Sequence, residues 1–393
     1  MILEHVVRYS VSSTMKGTLL IIDKSENNAD LFYRTRFFVP DPVIYIEHNG
    51  EKILVLSDLE IDRGKKEAAV DKILSLSECQ RRLQAQSKNK KKRIRLIDIA
   101  DLLLKDKKIK RLKVPGMFPL KYADELRKRG FTVITEERDP FFVERLRKTP
   151  REVELIKDAL RKTARAMDVA IKMIASSEIR KKKLYLDGQV LSSERIKGEI
   201  NAELSRMGFT ASHTIVACGI HSSMPHHTGE GPLSADKPVV IDIFPRSQKS
   251  GYFGDMTRTV IRGEPSEKLV RMYNTVLKGQ KLAIGMIRDG VRVRDVHSAV
   301  VDYFNNCGFE TGNIDGKSQG FIHSTGHGLG LEIHEPPRVG LGDEVLEEGN
   351  VVTVEPGLYY EKTGGVRIED VVLVEKNGCT NLTKYPKRLR VKI

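Results

Sequence analysis

The sequence is poor in cysteine. Its four residues, Cys79, Cys218, Cys307 and Cys379, stand far apart and form no CxxC pair. That excludes a disulfide framework and a thiolate-rich zinc site, and points to a reducing cytoplasm. Long apolar runs are also missing: none approaches the roughly 18 residues that a membrane span requires. Met1 to Lys16 carries Glu4, His5 and Arg8 and has no apolar core of a secretory signal, so no membrane partner is expected. The densest basic stretch, KNKKKRIR from Lys88 to Arg95, has no aromatic residue interleaved. It lacks the stacking platform of a nucleic-acid groove and reads as a solvated face, so nucleic acid is not an expected partner.

What is present fits a globular chain of two or three domains: 40% hydrophobic and 31% charged residues over a length of 393. The net charge of +14 is uneven. Residues 1–150 hold 32 Lys and Arg against 22 Asp and Glu, whereas residues 151–393 hold 35 against 31.

The first part alternates short apolar runs with turn signals. LLII (Leu19 to Ile22), VIYI (Val43 to Ile46) and ILVL (Ile53 to Leu56) read as strands, and His48-Asn49-Gly50 as a hairpin turn. Helical patterns alternate with further strands to about Ile134, which predicts a small α/β domain without nucleotide fingerprint or catalytic cluster. The boundary falls at 146/147. There Thr149-Pro150-Arg151-Glu152 supplies a cap, a proline at the first helical position and a capping box. Two helices are predicted, to about Ile174 and then from about Ser193 to a stop at Gly208. Strands follow at Thr214 to Cys218, Val239 to Phe244 and Asp255 to Ile261. The order then recurs: helices at about Ser266 to Ile287 and Val293 to Cys307, with a stop at Gly308, then strands at Leu331 to His334, Val351 to Glu355 and Val366 to Val374. Two helices followed by a strand pair, twice over, suggest an internal duplication whose hairpins face one centre.

Each strand pair carries carboxylates in an apolar setting. Asp242 and Asp255 lie in the first half, and Glu355 and Glu369 in the second. Burying such groups is costly unless they are paired, protonated or bound to metal. One would pass as a buried ion pair; four at matched positions call for divalent cations to remove their repulsion. Histidines gather beside them: His226-His227 with His221 nearby, then His323, His327 and His334 in FIHSTGHGLGLEIHEPP. One imidazole with four carboxylates suits Mn²⁺, Fe²⁺, Co²⁺ or Zn²⁺. Two such ions can share carboxylates and a hydroxide, and the natural reaction is amide hydrolysis.

The segments VVIDIFPRSQKSGYFGDMTRT, HSTGHGLGLEIHEPP, VVTVEPGLYY and GVRIEDVVLV resemble, in order, the motifs of the creatinase/aminopeptidase P/prolidase metallopeptidases. The resemblance spans about Arg147 to Val374. It implies an α+β architecture: a pita-bread catalytic domain (147–393) behind a smaller creatinase-like α/β domain (1–146). It implies two divalent ions, manganese first, with cobalt, zinc or iron as alternatives. Asp242 would hold one ion, His327 and Glu355 the other, and Asp255 and Glu369 would bridge. Glu355 would also accept the proton of the attacking water. His226 (with His227 as runner-up) and His323 would line the pocket, and His334 would contact the tetrahedral intermediate. Arg367, two residues before Glu369 and hence on the same strand face, would support the carboxylates. The substrate implied is a short peptide with proline second, and the assembly a homodimer. Three departures stand out: a longer Asp242–Asp255 interval, Gly254 where Ser or Ala is common, and an unusual segment from Thr228 to Asp236. Alternatives are a methionine-aminopeptidase-like exopeptidase, disfavoured by the preceding domain, and a non-catalytic binding protein with a basic first domain, disfavoured by the complete ligand set. Creatinase shares the fold without using the metals, which the five retained ligands also oppose.

Overall fold

The computed structural model describes residues 17–89, 91 and 93–392. The segment assessed for a secretory signal, and Lys90 and Lys92 of the basic stretch, lie outside the described residues. The chain divides into two compact units at Arg145/Leu146. Among the described residues no helix is long and apolar enough to cross a membrane.

The first unit is a six-stranded mixed sheet. Its strands are β1 (Thr18–Asp23), β2 (Val43–His48), β3 (Glu51–Leu56), β4 (Lys72–Ser75), β5 (Arg111–Pro115) and β6 (Thr132–Glu136), in the order β4-β3-β2-β1-β5-β6. Helices cover it, including Leu96–Asp106 and Leu120–Lys128. β2 and β3 pair antiparallel through Asn49 and Gly50, whose φ values of 51° and 83° are the positive pair a two-residue hairpin turn demands. Alternate residues of the strands feed two apolar clusters, with Leu20 and Ile44 in one and Leu19 and Tyr45 in the other. Arg95, at the end of the basic stretch, is taken up by both carboxylate oxygens of Glu125, at 2.8 and 2.6 Å.

The second unit opens with α1 (Pro150–Ala175). Glu152 N–H donates to Thr149 Oγ1, and Thr149 N–H donates back to the Glu152 carboxylate, closing the capping box. α2 (Ser193–Arg206) ends before Gly208, and α4 (Val293–Asn306) before Gly308, with φ of 75° and 78°. α1 and α2 pack on a three-stranded antiparallel sheet of β7 (Ile215–Cys218), β8 (Val239–Ile243) and β9 (Met256–Val260) around one apolar core. α3 (Glu267–Met286) and α4 pack on the second sheet around another core. That sheet contains β10 (Gly326–Gly328), β11 (Glu335–Val339), β12 (Val351–Val354), β15 (Asp370–Glu375) and β16 (Gly378–Asn381), in the order β11-β10-β12-β15-β16. A hairpin of β13 (Gly357–Tyr360) and β14 (Gly364–Arg367) lies between β12 and β15 in sequence. Each half runs from two helices to an antiparallel sheet, although in the first half a small three-stranded sheet at residues 178–190 separates the helices.

Two expected strands differ. Leu331 to His334 is a bend, because the Glu335 carboxylate accepts the Leu331 and Glu332 amides at 3.0 and 3.1 Å and takes them from any ladder. Val366 to Val374 is not one strand: β14 ends at Arg367 and β15 begins at Asp370. Between them the Glu369 N–H donates to the Thr257 carbonyl of β9, so the backbone changes partner there. Arg367 and Glu369 therefore do not share a strand face.

The long Asp242–Asp255 connection is folded onto its own half. Arg246–Ser247 pairs with Phe209–Thr210, and the Tyr252 hydroxyl donates to Glu152. Gly254 sits against α1: a Cβ there would lie 2.5 Å from Thr163 Oγ1 and 2.8 Å from the Ala159 carbonyl carbon. Gly254→Ser should therefore destabilise the unit by about 1–3 kcal/mol through overpacking. Urea unfolding measures this, and an unchanged midpoint would contradict the contact.

Candidate metal centre

The two halves meet where their hairpins end. In β8, Asp242 pairs with Thr257 of β9, and Asp255 immediately precedes β9. Glu355 immediately follows β12, and Glu369 fills the gap before β15. The halves are tied across this line: Thr257 Oγ1 donates to Glu369 Oε2 at 2.8 Å, and Thr259 Oγ1 accepts from the Arg367 amide and donates to its carbonyl. Asp242, Asp255, His327 and Glu369 are all buried.

Donor atoms of Asp255, His327 and Glu369 all lie within 4.8 Å of one another. His327 Nδ1 faces its neighbour Gly328 O at 3.1 Å. Donation of that N–H leaves the Nε2 lone pair free for a metal. His327 Nε2 is 3.7 Å from Asp255 and 3.2 Å from Glu355 Oε1. Asp242 is held at 2.7 Å by Arg367 Nη2, and Arg367 Nε lies 3.9 Å from Glu355 Oε2. The five side chains picked out as ligands are thus brought together, with Glu355 beside His327 and Asp242 beside Arg367.

The electrostatics are those of excess negative charge in a dry place. Burial first, then Glu369 and Asp242, pushes Asp255 well above the usual carboxylate range. Burial, Glu355 and Asp242 do the same to Glu369. Burial raises Asp242 as well, against the pull of Arg367. At Glu355 burial is outweighed by the His327 hydrogen bond and charge, which bring it down to about 2. Two buried oxygens, Asp242 Oδ1 and Glu369 Oε1, have no hydrogen-bond donor. Buried polar atoms are rarely left so, and both orphans belong to a group with hard oxygen donors and one imidazole. The residues present fit divalent cations.

The other predicted residues surround this group. Arg367 donates from Nε to Thr257 Oγ1, and from Nη1 to Tyr359 Oη and the Pro225 carbonyl. Tyr359 Oη lies 2.9 Å from His323 Nε2, and His323 Nδ1 lies 2.8 Å from the Ser324 carbonyl. The consistent assignment is a relay in which Arg367 donates to Tyr359, Tyr359 to His323, and His323 to the backbone. Burial lowers His323 to about 4. Burial, then His327, lowers His334 to about 4. The His334 ring stands edge-on to His327, with centroids 4.4 Å apart. His226 is exposed, and its charge is felt at both His323 and His334.

Sequence reasoning missed several supporting side chains. Thr257 and Thr259 follow Asp255 at steps of two, the period that puts residues on one strand face; that signal was available in DMTRT. Tyr359 gave none, since its reach to Arg367 depends on the β13–β14 pairing. The fully buried Arg258, bonded to Asp370 and to the carbonyls of Glu369 and Tyr385, was equally silent. So was the buried Lys148–Glu335 pair at 3.0 Å, which braces the bend carrying His334.

A buried four-carboxylate, one-imidazole cluster between two repeated halves defines a metal-dependent hydrolase of the pita-bread fold. A family model described as metallopeptidase family M24 matches residues 154–376. The chain is 33% identical over 284 residues to the Xaa-Pro dipeptidase of Pyrococcus horikoshii, covering 72% of this chain and 75% of that protein. The crystal structure of the prolidase from Pyrococcus horikoshii OT3 aligns with a TM-score of 0.76 and 26% identity, covering 95% of both chains. X-Pro aminopeptidase from Thermotoga maritima MSB8 aligns with a TM-score of 0.79 and 25% identity, covering 96% of this chain and 98% of that one. The chain belongs to metallopeptidase family M24 and is a peptidase; membership implies divalent metal ions.

The relay gives a pH signature. His323 titrates near 4 in the fold but near 6.5 when unfolded. The native state therefore binds fewer protons in that window, and stability falls as pH drops from about 6.5 to about 4. His323→Gln, which can still accept from Tyr359, should lose less stability over this range than the parent. Parallel pH curves from urea melts would contradict the buried neutral histidine.

Proposed function

We propose that residues 147–393 form a dinuclear exopeptidase domain cleaving the bond before proline, as an Xaa-Pro dipeptidase or Xaa-Pro aminopeptidase. Asp242 would hold one ion, His327 and Glu355 the other, and Asp255 and Glu369 would serve both. The observation that carries this reading is the pair of donorless buried oxygens, Asp242 Oδ1 and Glu369 Oε1, beside the Asp255–His327–Glu369 group. Bound there, two divalent ions, manganese by preference, would supply an activated water and polarise the scissile carbonyl.

The protein's own groups do the rest. Glu355, held as a carboxylate by His327, takes the proton of the attacking water. His334, neutral and edge-on to His327, donates to the charge that develops on the carbonyl oxygen. His323 is oriented by Tyr359 and lines a cavity of about 590 Å³ with Phe321 and Arg338. His226, exposed and felt electrostatically at His323 and His334, would line the pocket. Arg367 keeps Asp242 and the His226 segment in register through Asp242 Oδ2 and the Pro225 carbonyl. The proline preference rests on the likeness to the Pyrococcus dipeptidase and the Thermotoga X-Pro aminopeptidase. In this reading the protein works in the cytoplasm as a homodimer. The five intact donors argue against a non-catalytic binding protein.

Purified protein with Mn²⁺ should hydrolyse Xaa-Pro dipeptides or longer Xaa-Pro peptides, and the preferred length separates dipeptidase from aminopeptidase. No hydrolysis with several metals, together with salt-sensitive nucleic-acid binding, would overturn the assignment. Asp255→Ala should abolish activity and two-metal occupancy, whereas full occupancy would refute bridging. His334→Ala should lower kcat about 10²-fold with both metals retained; simultaneous metal loss would place His334 among the ligands.

A further inference from the structure

A second group of donors lies outside the five. His221, His227 and Glu230 each offer a donor atom, and these atoms lie within 4.8 Å of one another. The His221 and His227 rings stack at 4.2 Å between centroids, 12° from parallel, and His221 Nε2 is 3.9 Å from Glu230 Oε1. Glu230 is exposed and both histidines are partly so, so an ion can reach them from solvent.

The backbone that carries these groups is held in place. The Val216 N–H donates to the Thr228 carbonyl, and Lys197 Nζ donates to the Gly229 carbonyl at 2.8 Å. The Gly231 N–H donates to Glu194 at 2.9 Å. Gly229 is pressed so closely on β7 that a Cβ would sit 1.8 Å from the Val216 carbonyl oxygen. All three donors lie within residues 221–230, so little chain must be ordered to bring them together. Ligation asks only for side-chain adjustment, including exchange of the Gly229 N–H···Nδ1 contact of His227. Cys218 lines the adjoining cavity of about 360 Å³ with His221 and Glu230. Burial pushes its thiol up, and Sγ accepts the Ser234 amide, so it is not counted as a ligand.

We infer that His221, His227 and Glu230 form a separate, solvent-facing site for a borderline divalent transition-metal ion, with zinc as its best occupant. Two imidazoles and one carboxylate favour Zn²⁺, Co²⁺ or Ni²⁺ over Mg²⁺ or Ca²⁺. Three protein donors leave further positions for water. The site shares its loop with His226, and Arg367 Nη1 donates to the neighbouring Pro225 carbonyl.

The test counts zinc by equilibrium dialysis and follows Co²⁺ by its visible absorption. His221→Ala and Glu230→Gln should each bind one equivalent of Zn²⁺ fewer than the parent, with Mn²⁺-dependent peptide hydrolysis unchanged. A protein carrying Asp255→Ala and Glu369→Ala should keep one Zn²⁺ that is lost when His221→Ala is added. Its Co²⁺ form should show the absorption of a low-coordinate nitrogen–oxygen site. This comparison does not depend on how the inner centre behaves. Equal zinc stoichiometry in the parent and both single variants overturns the proposal, whether or not the double variant folds.

Discussion

Four carboxylates cannot share a buried site without something to offset their repulsion. That constraint organises the second unit. Arg367 neutralises part of the charge at Asp242, and His327 Nε2 stands 3.2 Å from Glu355 Oε1. Burial and the neighbouring carboxylates push Asp255 and Glu369 far up. A folded domain that keeps such a cluster, with two of its oxygens lacking any donor, is built for cations. In their place the same residues would be an avoidable loss of stability.

The fold supplies the convergence. Each half has its own apolar core, so each hairpin is set by its own pair of helices. The halves are then tied together by short polar bonds. Thr257 and Thr259 reach across to Glu369 and Arg367, and Arg258 is buried against Asp370. These bonds help to lock the ligand side chains, as a site that must keep its geometry to about 0.5 Å requires. The same economy appears at His334, on a bend rather than a strand, where Glu335 and Lys148 replace a ladder.

Much of this was legible in the amino-acid sequence, for identifiable reasons. Capping at Thr149 and the stops at Gly208 and Gly308 are local, so they could be read without the rest of the chain. The turn at Asn49-Gly50 is local too. The candidate carboxylates stood out because acidic residues in β-branched runs break the ordinary pattern. Leu331 to His334 misled because its apolar alternation looks like a strand, while a distant lysine and a neighbouring glutamate decide otherwise. Tyr359 and Arg258 were invisible because their roles depend on strand pairing and on the path of residues 385–390. Gly254, legible only as a departure from the family pattern, is a contact with α1.

The central claim is that Asp255 and Glu369 each touch two cations at once. Electron paramagnetic resonance of the protein loaded with two equivalents of Mn²⁺ tests this directly. Bridging carboxylates hold the ions close enough for their spins to couple, so the account predicts the multiline spectrum of an exchange-coupled pair. The hyperfine pattern of two isolated manganese ions, unchanged from half to full loading, would contradict it.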